Sequence, residues 1–446
     1  MNKFKDSFIF GTGTAAYQIE GGFNEGGRTP SIWDTFTKIS GNTFMGDTGD
    51  VACDHYHRFK EDVELLNEIG VDSYRLSISW SRIFPLKGQY NPEGIKFYRD
   101  LIHELKEKNI ISSVTLYHWD LPQWAQDLGG WENRECVYWF LDYCIKVFEE
   151  LGQEVSMWTT HNEPFCAALV GNYMGVHAPG KKDLKSALVV SHHLLLSHGL
   201  VVRAFRKFKF ENSSIGITLN LTPALAASKD EKDIIAAKIS DGFVNRWFLD
   251  PVLKGRYPKD MIEFYEKMVG VLDFIVEGDL AIISTDMDFL GINYYTRNIV
   301  KYSEGEQLKF EGIDGGSEKT EMGWEICPSS LYQLLVRIKD EYTKLPLYIT
   351  ENGAAFDDSV TSDNKIHDID RINYIKAHLQ VLQEFIEVGG NLKGYYLWSF
   401  MDNFEWAYGY SKRFGMVYVN YDTQERILKD SALWYKKVIV TRCLDN

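Results

Sequence analysis

The sequence has few cysteines, and none of the cysteine spacings that mark a metal or redox site. Six occur among 446 residues, and no two of them form a CxxC pair; they are Cys53, Cys136, Cys144, Cys166, Cys327 and Cys443. Scattered cysteines of this kind are typical of free thiols in a reducing compartment. We therefore expect neither a disulfide framework nor a zinc centre.

Basic charge is also scarce. Lys and Arg number 48 against 63 Asp and Glu, which leaves a formal net charge of −15. A surface of this sign repels the phosphates of nucleic acids and the head groups of anionic lipids. We therefore expect no nucleic-acid partner and no membrane partner.

We likewise expect no membrane span and no export signal. No apolar run stands out as long enough to cross a bilayer. Residues 1–6 lead directly into a strand-like run, without the apolar core that is typical of a signal peptide. These features predict a cytoplasmic protein.

Linker-like composition is missing as well. The chain contains no long charge block, no internal repeat and no tract rich in Pro, Ser and Gly, and its most polar glycine-bearing stretch, residues 303–319, is typical of a long loop. Since α/β barrels often exceed the usual domain size, we predict one domain over residues 1–446.

Aromatic residues, in contrast, are plentiful. They make up 14% of the chain, with 25 Tyr, 26 Phe and 12 Trp, which is more than core packing requires. Such side chains often line pockets, where they offer an apolar face together with a polar tip.

Eight short β-type runs alternate with longer amphipathic segments. The helical segments include one that ends at Gly70, one that begins at Pro92 and one over residues 372–386. The predicted strands cover residues 8–11, 73–79, 112–117, 156–160, 214–220, 289–294, 347–350 and 393–398. This alternation indicates parallel βαβ units. A doubly wound sheet is the alternative, but the count of eight favours a single (β/α)8 TIM barrel, with its site at the carboxyl ends of the strands.

Two glutamates follow predicted strands directly: Glu163 after the fourth and Glu351 after the seventh. A single Glu in such a place is most often a solvated loop residue. Here, however, two would meet at one rim, among Trp, His and Asn side chains. Glycoside cleavage needs two carboxyl groups, one to protonate the leaving oxygen and one to attack the sugar or activate water. Amides and imidazoles can bind sugar hydroxyls, and indole rings can cover a sugar face.

The sequence around these glutamates resembles the family 1 glycoside hydrolases, and among them the bacterial β-glucosidases. Residues 160–164 (THNEP) resemble the acid/base motif of the family, and residues 348–353 (YITENG) resemble its nucleophile motif. Residues 8–21 resemble its N-terminal signature. The similarity continues through residues 74–80, 413–415 and 429–431, which extends it over nearly the whole chain.

The resemblance implies a (β/α)8 barrel and cleavage with retention of configuration. Glu351 would be the nucleophile, and Glu163 the general acid that later becomes the general base. In retaining enzymes the two carboxyls lie roughly 5–5.5 Å apart. Charge on Glu351 should then keep Glu163 protonated near neutrality, and Arg75 would keep Glu351 ionised.

Other positions match the family one by one. Five residues resemble its ligands for sugar hydroxyls: Gln18, His118, Asn162, Glu405 and Trp406. Trp398 would stack on the sugar, Trp119 would line the same pocket, and Trp324 would form the platform for the leaving group. Asn293 and Tyr295 match groups around the nucleophile. Phe165 stands where Trp is frequent in the family, and we expect it near the leaving group. His161 and His177 are expected to be structural.

Glu405 carries the prediction of substrate class. A carboxylate there can accept hydrogen bonds from two neighbouring hydroxyls and would repel a sugar phosphate, so a 6-phospho-β-glycosidase is disfavoured. We expect terminal β-D-glucosyl residues of cellobiose, short cello-oligosaccharides and aryl β-glucosides as substrates, with β-galactosides and β-fucosides as side activities.

Three other readings stay open at this point. Residues 11–16 match the dinucleotide pattern GxGxxA, but no clear helix follows them. A sugar-binding protein without turnover would share the aromatic and amide residues. A metal site could use His55, His57, His118 or residues 192–198, although scattered histidines more often pack or cap. We expect no cofactor and no metal, and the sequence does not indicate the oligomeric state.

Overall fold

Eight parallel strands close into a barrel in the computed structural model, which describes residues 3–444. Around the barrel the strands follow the order β1-β2-β3-β4-β5-β7-β10-β11, and β1 pairs with both β2 and β11. The eight barrel strands are β1 (Ile9–Gly13), β2 (Ser73–Ser77), β3 (Ile111–Tyr117), β4 (Met157–Asn162), β5 (Ser214–Asn220), β7 (Phe289–Asn293), β10 (Leu347–Asn352) and β11 (Leu392–Trp398). The predicted (β/α)8 barrel is confirmed, and the doubly wound alternative is wrong.

Five further strands lie outside the barrel within the described residues. They are β6 (Ala224–Ala226), β8 (Asn298–Tyr302), β9 (Phe310–Ile313), β12 (Val417–Val419) and β13 (Arg426–Leu428). Strands β6, β8 and β9 form one small sheet, and β12 pairs with β13. The expectation of a structureless loop over residues 303–319 is therefore wrong in its middle, because β9 pairs there antiparallel to β8. A strand of four residues leaves too weak a periodic signal in the sequence to be recognised.

Helices connect the strands and cover the outside of the barrel. The α-helices are α1 (Ala16–Ile19), α2 (Ile32–Thr37), α3 (His55–Ile69), α4 (Trp80–Ile83), α5 (Pro92–Glu107), α6 (Gln123–Asp127), α7 (Glu135–Leu151), α8 (Leu184–Phe208), α9 (Glu231–Asp241), α10 (Trp247–Lys254), α11 (Lys259–Val269), α12 (Asp279–Ile283), α13 (Pro328–Glu341), α14 (Ile369–Glu387) and α15 (Asp430–Thr441). Single-turn 3-10 segments occur at Phe44–Gly46, Gly130–Glu132 and Trp406–Tyr408, and π-helical segments at Cys166–Met174 and Gly242–Arg246.

The ends of two helices show why the local sequence predicts them. Helix α3 ends at Gly70, which adopts φ of 80° and donates its backbone N–H to the carbonyl of Leu66. A left-handed residue of this kind costs least when it is glycine. Helix α5 begins at Pro92, which has no N–H and therefore leaves no unpaired donor in the first turn. The side chain of Asn91 accepts a hydrogen bond from the backbone N–H of Glu93.

Helix α8 contradicts the expectation that no apolar run reaches membrane length. With 25 residues it is long and apolar enough to cross a bilayer by length and composition, but 83% of its most apolar stretch is buried inside the protein. Its face toward the barrel includes His198, which contacts Thr160 on β4. Histidines interrupt the apolar run of this helix, and for that reason the expectation overlooked its length. The helix packs in the core of the protein.

The carboxyl ends of the barrel strands bring the polar residues of the predicted site together. Asn162, Asn293 and Trp398 are the last residues of β4, β7 and β11, and Glu351 is the last but one of β10. In parallel register these ends share one rim, since Glu351 pairs directly with Asn293. The rim is where enzymes of this architecture carry their active sites.

Candidate active site

A cavity of about 360 Å³ opens at this rim. Ten of the thirteen predicted site residues line it: His118, Trp119, Glu163, Asn293, Tyr295, Trp324, Glu351, Trp398, Glu405 and Trp406. The other three, Gln18, Arg75 and Asn162, are buried directly behind and hydrogen-bond to residues of the lining or to each other. The sequence therefore predicts a set of side chains that the fold does assemble in one place.

Both oxygens of Glu351 are held by donors. Nη1 of Arg75 lies 2.7 Å from Oε1, and the hydroxyl of Tyr295 lies 2.6 Å from Oε2. Arg75 is fully buried, and Glu351 is nearly so. Charge-assisted bonds of this length stabilise an ionised carboxylate and fix its orientation. The arrangement suits a carboxylate that must attack a fixed point.

Glu163 has the opposite electrostatic character. Burial, followed by the charge of Glu351, raises its pKa to about 7. The hydrogen bonds that it accepts from Cys166 and Asn293, and the charge of Arg75, act in the opposite direction. Near neutral pH this carboxyl is therefore poised between its acid and its base forms.

A chain of hydrogen bonds links the two carboxyls. Arg75 binds Glu351 through Nη1 and donates through Nη2 to Oδ1 of Asn162 at 2.6 Å. Nδ2 of Asn293 donates to that same oxygen at 3.0 Å and to Oε1 of Glu163 at 2.6 Å. Both glutamates thus face one cavity and share one supporting network, and the network sets their relative position.

Several buried polar atoms at this site have no hydrogen-bond partner among the described residues, and Oε1 of Gln18 and Nδ1 of His118 are two of them. Nε2 of His118 accepts from Nδ2 of Asn162 at 3.0 Å, so its Nδ1 carries the proton in the neutral ring. Burial and the charge of Arg75 lower the pKa of His118 well below its usual range, which keeps the ring neutral. One acceptor and one donor are thus available to a hydroxyl-rich ligand.

Indole rings form the wall of the cavity beside His118. The ring centroids of Trp119 and Trp406 lie 4.5 Å apart, and the ring of His118 lies within 6.0 Å of Trp398 and Trp406. Glu163, Trp119 and Trp406 adopt positive φ, at 48°, 78° and 52°. A left-handed non-glycine residue costs roughly 1–2 kcal/mol, and such residues concentrate at functional sites.

Glu405 is the third carboxyl in the cavity. Burial, and then the charges of Glu351 and Glu163, raise its pKa to about 8, so at neutral pH it holds a proton much of the time and can donate as well as accept. Nε2 of Gln18 lies 3.5 Å from it. The two cations nearby in sequence are engaged elsewhere, Lys412 with Glu321 and Arg413 with Asp402.

Trp324 packs between Phe414 and Tyr295, whose hydroxyl binds Glu351, at centroid distances of 6.2 and 5.2 Å. Trp324 therefore lines the cavity beside Tyr295, and its role as a platform for the leaving group stays a prediction. Phe165, which we expect near the leaving group, is not among the residues that line the cavity. Its ring packs edge-on against Phe243 and Phe248. Proximity to Glu163 in sequence did not determine where that ring packs.

Sequence reasoning missed several lining residues. His177, expected to be purely structural, lines the cavity and contacts the rings of Trp119 and Trp406. His161 does pack in the core, where it contacts Ser197 at 2.7 Å. Phe414, in a segment that resembles the family, also lines the cavity, and the remaining lining residues lie outside the segments named for that resemblance: Cys166, Val170, Val176, Asn220, Thr222, Thr296, Met322 and Tyr408. Within residues 3–444, no group of three or more His, Cys, Asp or Glu side chains is arranged to hold a metal ion.

Comparisons with known proteins identify relatives over the full length. The sequence model described as "Glycosyl hydrolase family 1" matches residues 1–443. The "Beta-glucosidase A" of Acetivibrio thermocellus is 50% identical, with 98% of each chain covered. The "Bifunctional beta-D-glucosidase/beta-D-fucosidase" of Bifidobacterium breve is 45% identical, again with 98% of each covered. Among solved structures, the GH1 beta-glucosidase of Exiguobacterium antarcticum B7 superposes with a TM-score of 0.97, at 54% identity and 99% coverage of both chains.

Proposed function

Because the chain belongs to glycosyl hydrolase family 1 and is a β-glucosidase, we propose that it cleaves its substrate by double displacement, with Glu351 as nucleophile and Glu163 as acid/base. The observation that carries this proposal is the pair of unlike carboxyls in one cavity. One is held by Arg75 and Tyr295, and the other is kept protonated to about pH 7.

In the first step, a carboxylate oxygen of Glu351 attacks the anomeric carbon while Glu163 gives its proton to the glycosidic oxygen. The leaving alcohol departs, and an ester joins the sugar to Glu351. Arg75 and Tyr295 hold the attacking group in one orientation, so little reorganisation is needed at the moment of attack.

In the second step, Glu163 removes a proton from a water molecule that attacks the same carbon and breaks the ester. Esterification has removed the negative charge of Glu351, which is the second-largest cause of the raised pKa of Glu163. The pKa of Glu163 falls in the intermediate, and the residue becomes a base when a base is required.

The substrates that we propose are neutral β-D-glucosyl compounds: cellobiose, short cello-oligosaccharides and aryl β-glucosides. Gln18 and His118 offer one free acceptor and one free donor, Glu405 offers both, and the indole wall suits the face of a pyranose. β-Galactosides and β-fucosides are proposed side activities, and the name of the Bifidobacterium breve relative supports the second.

Two alternatives are weaker. A sugar-binding protein without turnover would not need Glu163 and Glu351 to have opposite electrostatic character. A phospho-β-glycosidase would need a free cation near Glu405, whereas Lys412 and Arg413 are paired with Glu321 and Asp402.

Proton NMR of early product decides the stereochemistry. With p-nitrophenyl β-glucoside as substrate, we expect the β-anomer of glucose to appear first and the α-anomer to grow in later by mutarotation. Release of the α-anomer first would contradict double displacement. Binding without release of nitrophenol at any pH would favour the sugar-binding alternative.

A further inference from the structure

The two oxygens of Glu163 accept hydrogen bonds from two different kinds of group, an amide that can only donate and a thiol that can both donate and accept. Nδ2 of Asn293 lies 2.6 Å from Oε1, and Sγ of Cys166 lies 2.9 Å from Oε2. The amide of Asn293 is oriented by Thr350, whose hydroxyl donates to Oδ1 at 2.7 Å, and by Asn162, whose Oδ1 takes the other Nδ2 hydrogen. An amide nitrogen only donates, so a proton on Glu163 must sit on Oε2, beside the sulfur.

Backbone geometry places the thiol at that oxygen. Cys166 is the first residue of the π-helical segment Cys166–Met174, and its backbone N–H donates to the carbonyl of Glu163 at 2.9 Å. Its side chain is half-buried and lines the cavity. Cys443 is the other half-buried cysteine among the described residues, and it is not part of the cavity lining.

Resting on the role proposed above for Glu163, we propose that Cys166 is a positioning residue of the acid/base: its S–H donates to Oε2 of the ionised form, and its sulfur accepts the proton of the carboxylic acid form. A thiol can fill both parts, whereas the amide of Asn293 can only donate. Glu163 alternates between acid and base during one turnover, so Oε2 keeps a partner in both states.

The electrostatics agree with a thiol that keeps its hydrogen. Burial and the neighbouring charge of Glu163 raise the pKa of Cys166 well above its usual range, so no thiolate forms beside the carboxylate. Donation from S–H in turn stabilises the ionised carboxylate and works against the burial that raises the pKa of Glu163. Removing the donor should therefore raise the pKa of Glu163.

The test compares Cys166→Ala, which has no donor, with Cys166→Ser, which keeps one. We would measure kcat/KM for p-nitrophenyl β-glucoside against pH. For the alanine variant we expect the alkaline limb to move up by about 0.5 to 1 pH unit, the size expected when a carboxylate loses one hydrogen bond from a weak donor such as a thiol. For the serine variant we expect no upward movement. Cys443→Ala is the matched control and should reproduce the wild-type profile.

A second readout uses leaving groups. Dinitrophenol leaves with little acid assistance, whereas the glucose of cellobiose needs full protonation. Cys166→Ala should lower kcat/KM for cellobiose by roughly 3- to 10-fold more than for dinitrophenyl β-glucoside. If the alanine variant does not fold, Cys166→Val removes the donor at closer to the original volume and takes its place.

The proposal would be overturned if the alkaline limb lay at the same pH in the variant without a donor and in the serine variant. This holds whether both limbs match the wild type or both are shifted. Failure of the proposed function is a separate result. It would appear in the wild-type enzyme itself, as absent hydrolysis or as α-glucose released first.

Discussion

At the scale of single residues, the site works by giving two chemically identical side chains different surroundings. Glu351 receives two short hydrogen bonds, one of them from the guanidinium of Arg75. Glu163 is buried beside the negative charge of Glu351, and the two effects raise its pKa to about 7. Their sequence contexts show only that each follows a strand. The difference between them arises from Arg75, Tyr295 and Asn293, which come from other strands or from the loops that follow them.

Removing the proposed nucleophile, Glu351, tests that difference directly. Glu351→Gly should lower hydrolysis of p-nitrophenyl β-glucoside by roughly 10⁴-fold or more, because no group remains to form the ester. Azide should then attack through the vacated space and yield the α-glucosyl azide, measured by NMR. A circular dichroism spectrum like that of the wild type would show that the fold is retained. Hydrolysis at an undiminished rate would refute the assignment.

The pH dependence follows from the sign of the shift at Glu163. In the proposed mechanism the acid form of Glu163 protonates the leaving group, and its pKa is raised to about 7, so kcat/KM should fall as pH rises through that value. The limbs belong to the coupled pair of glutamates rather than to each separately. In Glu163→Gln the alkaline limb should disappear, as measured with dinitrophenyl β-glucoside. A profile without an alkaline limb in the wild type would exclude Glu163 as the acid.

At the scale of elements, a buried ionic cluster joins the segments that follow the last two barrel strands to the final helix. Nζ of Lys429 lies 2.7 Å from Asp402, which follows β11, and 2.5 Å from Asp358, which follows β10. Arg371 in α14 binds Asp358 at 2.7 Å. The segment after β11 also carries Glu405 and Trp406, so the cluster fixes the base of a loop that lines the cavity.

Lys429→Met should therefore be strongly destabilising. It leaves two buried carboxylates with one cation fewer, and breaking a buried pair in this way costs about 3–5 kcal/mol. The free energy of unfolding in urea measures the loss. Lys259→Met is the matched control, because Lys259 is 91% exposed in its pair with Glu263, and a pair on the surface is worth about 0–1 kcal/mol. Equal losses in the two variants would contradict a structural role for the cluster.

At the scale of the whole molecule, two features affect the site: the seam where the barrel closes, and the net charge of the protein around the cavity. The barrel closes where β1 meets β2 and β11. Helix α15 and the residue after it hold this seam, because the hydroxyl of Tyr435 donates to the carbonyl of Gly11 and Arg442 pairs with Asp72. The protein around the cavity carries a net charge of −15, and the cavity itself holds three glutamates. An anionic substrate therefore meets repulsion in solution from the net charge and in the cavity from Glu351, while Glu405, which is largely protonated at neutral pH, adds to the repulsion as it ionises.

This charge distribution predicts strong selection against phosphorylated sugars. We expect kcat/KM for p-nitrophenyl 6-phospho-β-glucoside to be at least about 100-fold below that for the neutral glucoside. Raising the salt concentration should narrow the gap, while the rate with the neutral glucoside should change little. Equal values of kcat/KM for the two substrates would contradict the predicted selection against phosphorylated sugars.

Most of the barrel strands and several helix ends could be predicted from the sequence. Strand β5 was predicted at both of its ends, the other barrel strands to within a few residues, and helices α3 and α5 from Gly70 and Pro92. Strand β9 was not recognised, because four residues give too short a periodic signal. The membrane-length apolar character of α8 was missed as well, because histidines interrupt its apolar run.

Local sequence alone determined the strands, the helix ends and the identity of the two glutamates, since propensity, capping and motif are properties of consecutive residues. Only the tertiary structure decided that Glu163 is the weak acid, that Cys166 lies at its Oε2, that His177 lines the cavity and that Phe165 does not. Each of these depends on which distant side chains meet after the barrel closes. Burial and the charge of a residue 188 positions away, as from Glu163 to Glu351, are set by contacts in space.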